Sequence, residues 1–363
     1  MGVYVVIHQA VRYTCRQVRT ASQMTTKIPH KSPYLESLRL STAPMMEWSD
    51  RHCRYFWRLI APQALLYTEM VTTGALLFGD KPYHLDFHDS EHPVALQLGG
   101  NEPDALARCA ELAQQWGYDE VNLNCGCPSD RVQSGGFGAY LMGEPKTVSA
   151  CVQAMRNATD LPVTVKHRLG IDHQDSYEEL LEFVQTVAEA GCRHFVVHAR
   201  KAWLKGLSPK QNRDIPPLNY EWVYRLKQTL PELTIVINGG ITQPQECVEH
   251  LQHVDGVMIG REAYYHPWHL RAISEAVFGK QNLLSQPEIM TEMVRYSKEQ
   301  LEKGVKLNHV TRHLINFYQG CRGAKQFRRY LSENAHRPGA NEQILVDALA
   351  LVEQAGVDQK ESA

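Results

Sequence analysis

The chain has 363 residues, 43% hydrophobic and 21% charged, with a formal net charge of −2 at pH 7. That composition describes an ordinary globular protein with room for one large domain and a smaller one. It excludes a chain that is basic throughout, and no apolar run approaches the roughly 18 residues that would span a bilayer.

Nine cysteines, an odd number without framework spacing, indicate reduced thiols in a cytoplasmic protein. There is no CxxC pair and no zinc-type ligand spacing, so no metal is expected. Residues 1–33 carry Arg12, Arg16, Arg19, Lys27 and Lys31 with no acid before Glu36. Val3 to Ile7 is too short for the apolar core of a signal peptide. This segment is expected to be a disordered arm, or a start placed too early with Met24 as initiator.

From Leu38 onward, short apolar runs alternate with helical segments. The predicted strands are Leu38–Ala43, Ala64–Thr68, Val94–Leu98, Glu120–Asn124, Val163–His167, His194–His198, Thr234–Asn238 and Gly256–Ile259. The predicted helices are Glu102–Trp116 capped by Asn101, Pro145–Ala158, Tyr177–Ala190 behind Ser176, Asn219–Leu230, Gln243–His250 and Pro267–Phe278. Eight such units predict an α/β fold, a (β/α)8 TIM barrel over residues 34–280. A doubly wound sheet is the rival, but no GxGxxG follows the first strand.

Nearly every strand ends in polar residues: Glu69, Gln97, Asn124, Lys166-His167, His198-Ala199-Arg200, Asn238-Gly239-Gly240 and Gly260-Arg261. A barrel gathers those ends at one mouth, where its chemistry sits. Cys127 follows the fourth strand, and Pro128 and a glycine-rich loop, Gly135-Gly136-Phe137-Gly138, come after it. A thiol there is placed to react on a mobile loop; a buried structural cysteine is the competing reading. The loops after strands seven and eight put Asn238, Gly239, Gly240, Gly260 and Arg261 where a barrel commonly binds phosphate. Two ordinary tight turns are the alternative.

Beyond the barrel, Gln286–Glu302, Asn308–Tyr318, Lys325–Glu333 and Asn341–Ala355 read as a helical domain over residues 281–355, followed by a tail, 356–363. Between Gly304 and Pro338 there are seven basic residues, Lys306, Arg312, Arg322, Lys325, Arg328, Arg329 and Arg337, against one acid, Glu333. Phe327 and Tyr330 interleave with them, as on a nucleic-acid surface. A solvated helix face is the simpler account of such a charge run.

Several motifs resemble the tRNA-dihydrouridine synthases. They are Pro44-Met45-Met46, Leu123-Asn124-Cys125-Gly126-Cys127-Pro128-Ser129, Lys166-His167-Arg168-Leu169-Gly170, His198-Ala199-Arg200, Asn238-Gly239-Gly240-Ile241 and Ile259-Gly260-Arg261. Thr68-Glu69-Met70-Val71-Thr72-Thr73, Asp130 to Gly138 and Arg328 to Glu333 are similar to the bacterial A subfamily. The likeness runs from about Leu38 to Leu351.

The resemblance implies an FMN-dependent barrel with a C-terminal helical domain, reducing uridines of the tRNA D loop, around positions 20 and 20a, with NADPH. It implies that Pro44, Met45 and Met46 line the flavin, that Gln97 and Lys166 bond its polar edge, and that His198 lies against it. Asn238, Gly239, Gly240, Gly260 and Arg261 would hold the FMN phosphate. Cys127 would be the acid that protonates uracil C5 while hydride arrives at C6, and Asn124 would touch the uridine. A free thiol suits that task, being mostly protonated at neutral pH with an ordinary pKa of about 8.5.

The basic helix with Lys325, Arg328 and Arg329, and the loop with Lys205, Lys210 and Arg213, would meet the tRNA D-loop and elbow region. A monomer is expected. The rivals are an FMN barrel reducing a small-molecule enone or pyrimidine, and a non-catalytic tRNA-binding factor.

Overall fold

The computed structural model describes residues 33–280 and 282–360, with side chains through residue 355. The expected arm, except Pro33, and the last three residues of the expected tail lie outside the described residues. Eight strands form one parallel sheet: β1 (Leu40–Thr42), β2 (Leu66–Thr72), β3 (Val94–Gly99), β4 (Glu120–Cys125), β5 (Val163–Arg168), β6 (His194–His198), β7 (Thr234–Asn238) and β8 (Gly256–Ile259). Their order is β1-β8-β7-β6-β5-β4-β3-β2. A parallel bridge from Ser41 to Leu65 joins the two ends. There the Leu65 carbonyl accepts from the Thr42 N–H at 3.0 Å. The (β/α)8 barrel expected from the alternation is the fold of the chain.

Alternation along each strand sorts side chains into two layers. On β4, Val121, Leu123 and Cys125 join the large core between sheet and helices. A second, smaller apolar cluster, including Tyr67, Ala95, Val196, Val236 and Met258, fills the barrel interior. Glu120, Asn122 and Asn124 face that interior too, all buried.

Strands β6, β7 and β8 have the bounds read from the sequence. The second strand runs farther, to Thr72, with a register irregularity between Tyr67 and Met70. Asn101 does not cap the helix Pro103–Trp116; Glu102 holds the cap position without a side-chain bond. The Asn101 amide instead donates to the carbonyls of Gly135 (3.3 Å) and Gly136 (3.2 Å), tying down the glycine loop.

The helix Arg51–Ile60 is absent from the sequence reading, because its arginines and histidine disguise a buried segment. Arg54 and Glu91 pair at 2.6 Å in the interior. Asp50 caps the helix through the N–H groups of His52 and Cys53, and also pairs with Arg312 (2.5 Å) and His313 (3.0 Å). Tyr55 stacks on Tyr296, ring centroids 3.9 Å apart. This helix therefore ties the C-terminal helices to the barrel.

Of those helices, Gln286–Glu302 matches expectation, while Leu307–Thr311 is a fragment of the helix read as Asn308–Tyr318. From Arg312 the chain turns so that Leu314, Phe317 and Tyr318 are buried. The final helix, Gln343–Lys360, extends into the expected tail. Among the described residues no helix is long and apolar enough to cross a membrane.

Candidate active site

The mouth is built from the carboxyl ends of β3 to β8. Asn124, at the end of β4, accepts from the backbone N–H groups of Gly126 (3.1 Å) and Cys127 (2.9 Å) through Oδ1. This fixes the turn that brings Cys127 out of the strand. Its thiol is partly exposed and lies 3.7 Å from the Ser129 hydroxyl. Cys125, two residues earlier, points into the outer core, and burial pushes its thiol well up. It is a packing residue.

The loop glycines are required by geometry. Gly136 and Gly138 have φ near +70°. A Cβ on Gly138 would lie 2.3 Å from Val132 and 2.6 Å from the Cys127 carbonyl oxygen. That carbonyl also accepts from the Ala139 N–H at 2.9 Å, so the loop closes back onto the cysteine.

Across β5 to β7, Lys166 donates to Asn238 Oδ1 at 3.1 Å, and Asn238 Nδ2 donates to the Met258 carbonyl at 2.8 Å. His198 pairs in register with Arg168 on one side and Asn238 on the other. Burial, and then the charge of Arg168, disfavour the protonated form of Lys166, and its pKa falls to about 7. Burial and the surrounding cations Arg168, Lys166, Arg200 and Arg213 hold His198 well below the ordinary histidine value, so its imidazole is neutral. His167 faces away from the mouth, against Phe183 and Phe195, as strand alternation dictates.

Among the described residues Arg168 has no carboxylate partner. Its Nε donates to the Gly126 carbonyl (2.8 Å), and its Nη1 to those of Lys201 (3.1 Å) and Asn212 (3.0 Å). One buried guanidinium thus joins the cysteine turn to the long loop after β6. Burial lowers its pKa to about 10, leaving it charged at neutral pH.

Gly239 and Gly240, at φ of 116° and 74°, leave room that a side chain would fill. A Cβ on Gly239 would meet His198 Cδ2 at 2.7 Å, and one on Gly240 would meet Leu218 at 2.6 Å. A Cβ on Gly260 would make ordinary contact with Ala43 Cβ at 3.9 Å. Arg261, beside Gly260, pairs with Asp214 at 2.8 Å. Lys166, Arg168, Arg200, Arg213 and Arg261 give this side of the mouth a cationic surplus, and the cradle of glycines suits an anionic ligand.

Gln97 is 1% exposed and its amide bonds Asn122 and Asn124 at 2.8 Å each. Pro44 and Met45 are partly buried, whereas Met46 is 59% exposed at the rim. Lys205, Lys210 and Arg213 are exposed on the loop after β6.

Lys325, Arg328 and Arg329 are exposed on the helix Ala324–Asn334, where Arg329 pairs with Glu333 at 2.7 Å. Phe327 and Tyr330 do not form a stacking surface: Phe327 is fully buried and the Tyr330 hydroxyl donates to Asp347. Arg312 leaves the basic run to pair with Asp50. Elsewhere, Glu262, His266 and His269 bring ligand-type atoms within 4.8 Å of one another, with His269 hydrogen-bonded to the Glu262 carboxylate at 2.7 Å and His266 Nδ1 lying 2.9 Å from it.

The sequence did not reveal Arg168 as an anchor, Asp214 as the partner of Arg261, or the continuation of the Asn124 row inward to Asn122 and Glu120. The alternation Glu-Val-Asn-Leu-Asn in β4 was the available signal for that row.

Residues 41–353 match the dihydrouridine synthase family. A tRNA-dihydrouridine(20/20a) synthase of Vibrio parahaemolyticus is 56% identical over 318 residues, covering 87% of this chain and 97% of the relative. The protein of the same name from Escherichia coli K12 is 55% identical over 330 residues, covering 90% and 95%. A 2-naphthoyl-CoA reductase structure aligns with a TM-score of 0.51 at 12% identity, over 65% of this chain and 50% of that one, a likeness of fold alone. The chain belongs to the dihydrouridine synthase family.

Proposed function

We propose that this protein reduces uridine to 5,6-dihydrouridine in the tRNA D loop, at positions 20 and 20a, using FMN and NADPH in the cytoplasm. The observation that carries the reading is the partly exposed thiol of Cys127, whose backbone N–H is held by Asn124 near the end of β4, flanked by the cationic, glycine-lined ends of β5 to β8. Relatives named for this reaction support it.

Gly239, Gly240, Gly260 and Arg261 hold the FMN phosphate, and Pro44, Met45, Met46, Gln97, Lys166, His198 and Asn238 surround the rest of the cofactor. Bound FMN supplies the hydride that reaches uracil C6. Cys127 gives its thiol proton to C5, and the thiolate is reprotonated from solvent. Asn124 spends its carbonyl on the backbone and one N–H on Gln97, which leaves one N–H for the base. Lys166, when charged, stabilises negative charge in the site. Neutral His198 packs beside the cofactor without adding another cation.

The target base must leave the folded tRNA to reach the thiol. Lys210 and Arg213 at the rim, with Lys325, Arg328 and Arg329 on the basic helix, bind phosphates around the D loop and elbow. A barrel unit through residue 280, a helical unit from residue 281 to 355 and a monomeric state belong to the same reading; no metal takes part.

The test is reduction of unmodified tRNA transcripts by the FMN-loaded protein with NADPH, with dihydrouridine mapped by position. Dihydrouridine at positions 20 and 20a is the expected product. Turnover of free uridine or an enone as efficient as that of tRNA would point to a small-molecule reductase instead.

A further inference from the structure

The inner face of β4 is polar where a barrel core is ordinarily apolar. Glu120 and Asn122 are fully buried and Asn124 is 7% exposed. Their hydrogen bonds form one uninterrupted series. The backbone N–H of Cys127 donates to Asn124 Oδ1 (2.9 Å), Asn124 Nδ2 to Gln97 Oε1 (2.8 Å), and Gln97 Nε2 to Asn122 Oδ1 (2.8 Å). Asn122 Nδ2 then donates to the Thr164 hydroxyl (2.8 Å), which donates to Glu120 Oε1 (2.6 Å).

We infer that Glu120 and Thr164, at the barrel floor, are positioning residues that anchor the lower end of this relay and so, together with the backbone N–H groups that fix its upper end, orient the Gln97 and Asn124 amides at the mouth. The logic is that of donors and acceptors. A carboxylate only accepts and a backbone N–H only donates, so both ends of the series impose the same direction. Each amide between them has one permitted orientation; a flipped one would set donor against donor or acceptor against acceptor.

The floor is organised to keep the carboxylate an acceptor. Tyr67 and Tyr34 donate to it at 2.6 Å each, and His194 lies 3.5 Å away. Burial works to raise its pKa, but His194 and the hydrogen bonds from Thr164 and Tyr34 outweigh it and hold Glu120 below the ordinary glutamate value. Both tyrosines are raised by burial and by Glu120, so they remain donors.

The consequence reaches the mouth. With direction fixed, Gln97 and Asn124 each keep one N–H outside the relay, and Asn124 Oδ1 is filled by the N–H groups of Gly126 and Cys127. At Asn124 a partner carbonyl finds a donor and a partner N–H finds no acceptor. Applied to flavin and uracil, this rests on the proposed function; the relay itself does not.

The decisive variant is Thr164→Val, which keeps the shape and removes the hydroxyl. Thr164→Ala is a second hydroxyl-free variant should valine not fold, and Thr164→Ser restores the group. The first readout is the side-chain amide resonances of Asn122, Gln97 and Asn124 in flavin-free protein by nitrogen-15 NMR. All three should move in Thr164→Val and return in Thr164→Ser. With FMN added, the hydroxyl-free variant should bind about tenfold more weakly, the equivalent of one hydrogen bond lost to misorientation. Its flavin absorption bands should shift and kcat on tRNA should fall, with the KM for tRNA unchanged.

Unmoved Gln97 and Asn124 resonances, whatever happens to the melting temperature, would overturn the relay. Moved resonances with unaltered FMN affinity, flavin spectrum and kcat would overturn its role at the mouth. If the unmodified protein binds no FMN, the proposed function fails, and the resonances still decide the relay.

Discussion

Lys166 offers the sharpest pH test of the cationic mouth. Its pKa stands at about 7 against an ordinary 10.5, because burial and then Arg168 disfavour the charged form. In flavin-free protein at pH 8 only about a tenth of the molecules carry that proton. Between pH 7 and 10.5 the folded chain holds fewer protons than the unfolded chain at this site. Flavin-free protein therefore gains stability from Lys166 as pH rises through that window, and loses it as pH falls.

An anionic ligand beside Lys166 restores the charge, so binding above pH 7 takes up a proton. If the bound pKa returns near its ordinary value, the FMN Kd weakens about 50-fold from pH 7 to pH 9. Quenching of FMN fluorescence across that range measures the slope. Calorimetry in two buffers of different ionisation enthalpy should count about 0.9 proton taken up at pH 8. Lys166→Met should flatten the profile and abolish the uptake. A wild-type Kd that is constant from pH 7 to 9, with no buffer dependence, would refute the reasoning.

Three other outcomes are expected. Cys127→Ala should keep FMN and still oxidise NADPH with an external acceptor, while dihydrouridine formation falls about 10²- to 10⁴-fold; product formation at the wild-type rate removes the thiol from proton transfer. Gly239→Ala places a methyl 2.7 Å from His198 at φ of 116°, so a strain of about 1–3 kcal/mol should appear as a lower melting temperature and weaker FMN binding. Arg328→Ala with Arg329→Ala should weaken tRNA binding and reduce its salt slope by about 2, leaving NADPH oxidation unchanged. Since Arg329 is already paired with Glu333 in solvent, an unequal division between the two arginines would show in the single variants.

Legibility followed the periodicity. Strands β6 to β8 could be read to the residue because apolar runs stop abruptly at His198, Asn238 and Gly260. The mouth was readable for the same reason: strand ends in a parallel barrel collect on one side, whatever the loops do. What stayed hidden depended on pairings between distant segments. Nothing near Arg51–Ile60 announces that Glu91 will neutralise Arg54, so a buried helix looks polar. Phe327 and Tyr330 alternate with arginines along the chain, but a helix turns them to the opposite side, into the core and toward Asp347. Arg312 counts as surface charge until Asp50, 262 positions away, claims it. Asn101 has the chemistry of a cap and is used as a staple for Gly135 and Gly136.

Arg168 carries an implication for how this scaffold diverges. A single guanidinium grips carbonyls at residues 126, 201 and 212, so two surface loops with no sequence connection share one anchor. Insertions or deletions in either loop alter where the other is held. Loop exchange between relatives is then a two-part operation: grafting the segment after β4 alone displaces one of the three carbonyls, and grafting that after β6 alone displaces two, leaving a buried cation short of acceptors. Transplanting both together preserves all three bonds. Substrate preference in such chimeras should therefore move in pairs of loops, with the two sides of the mouth inherited as one unit.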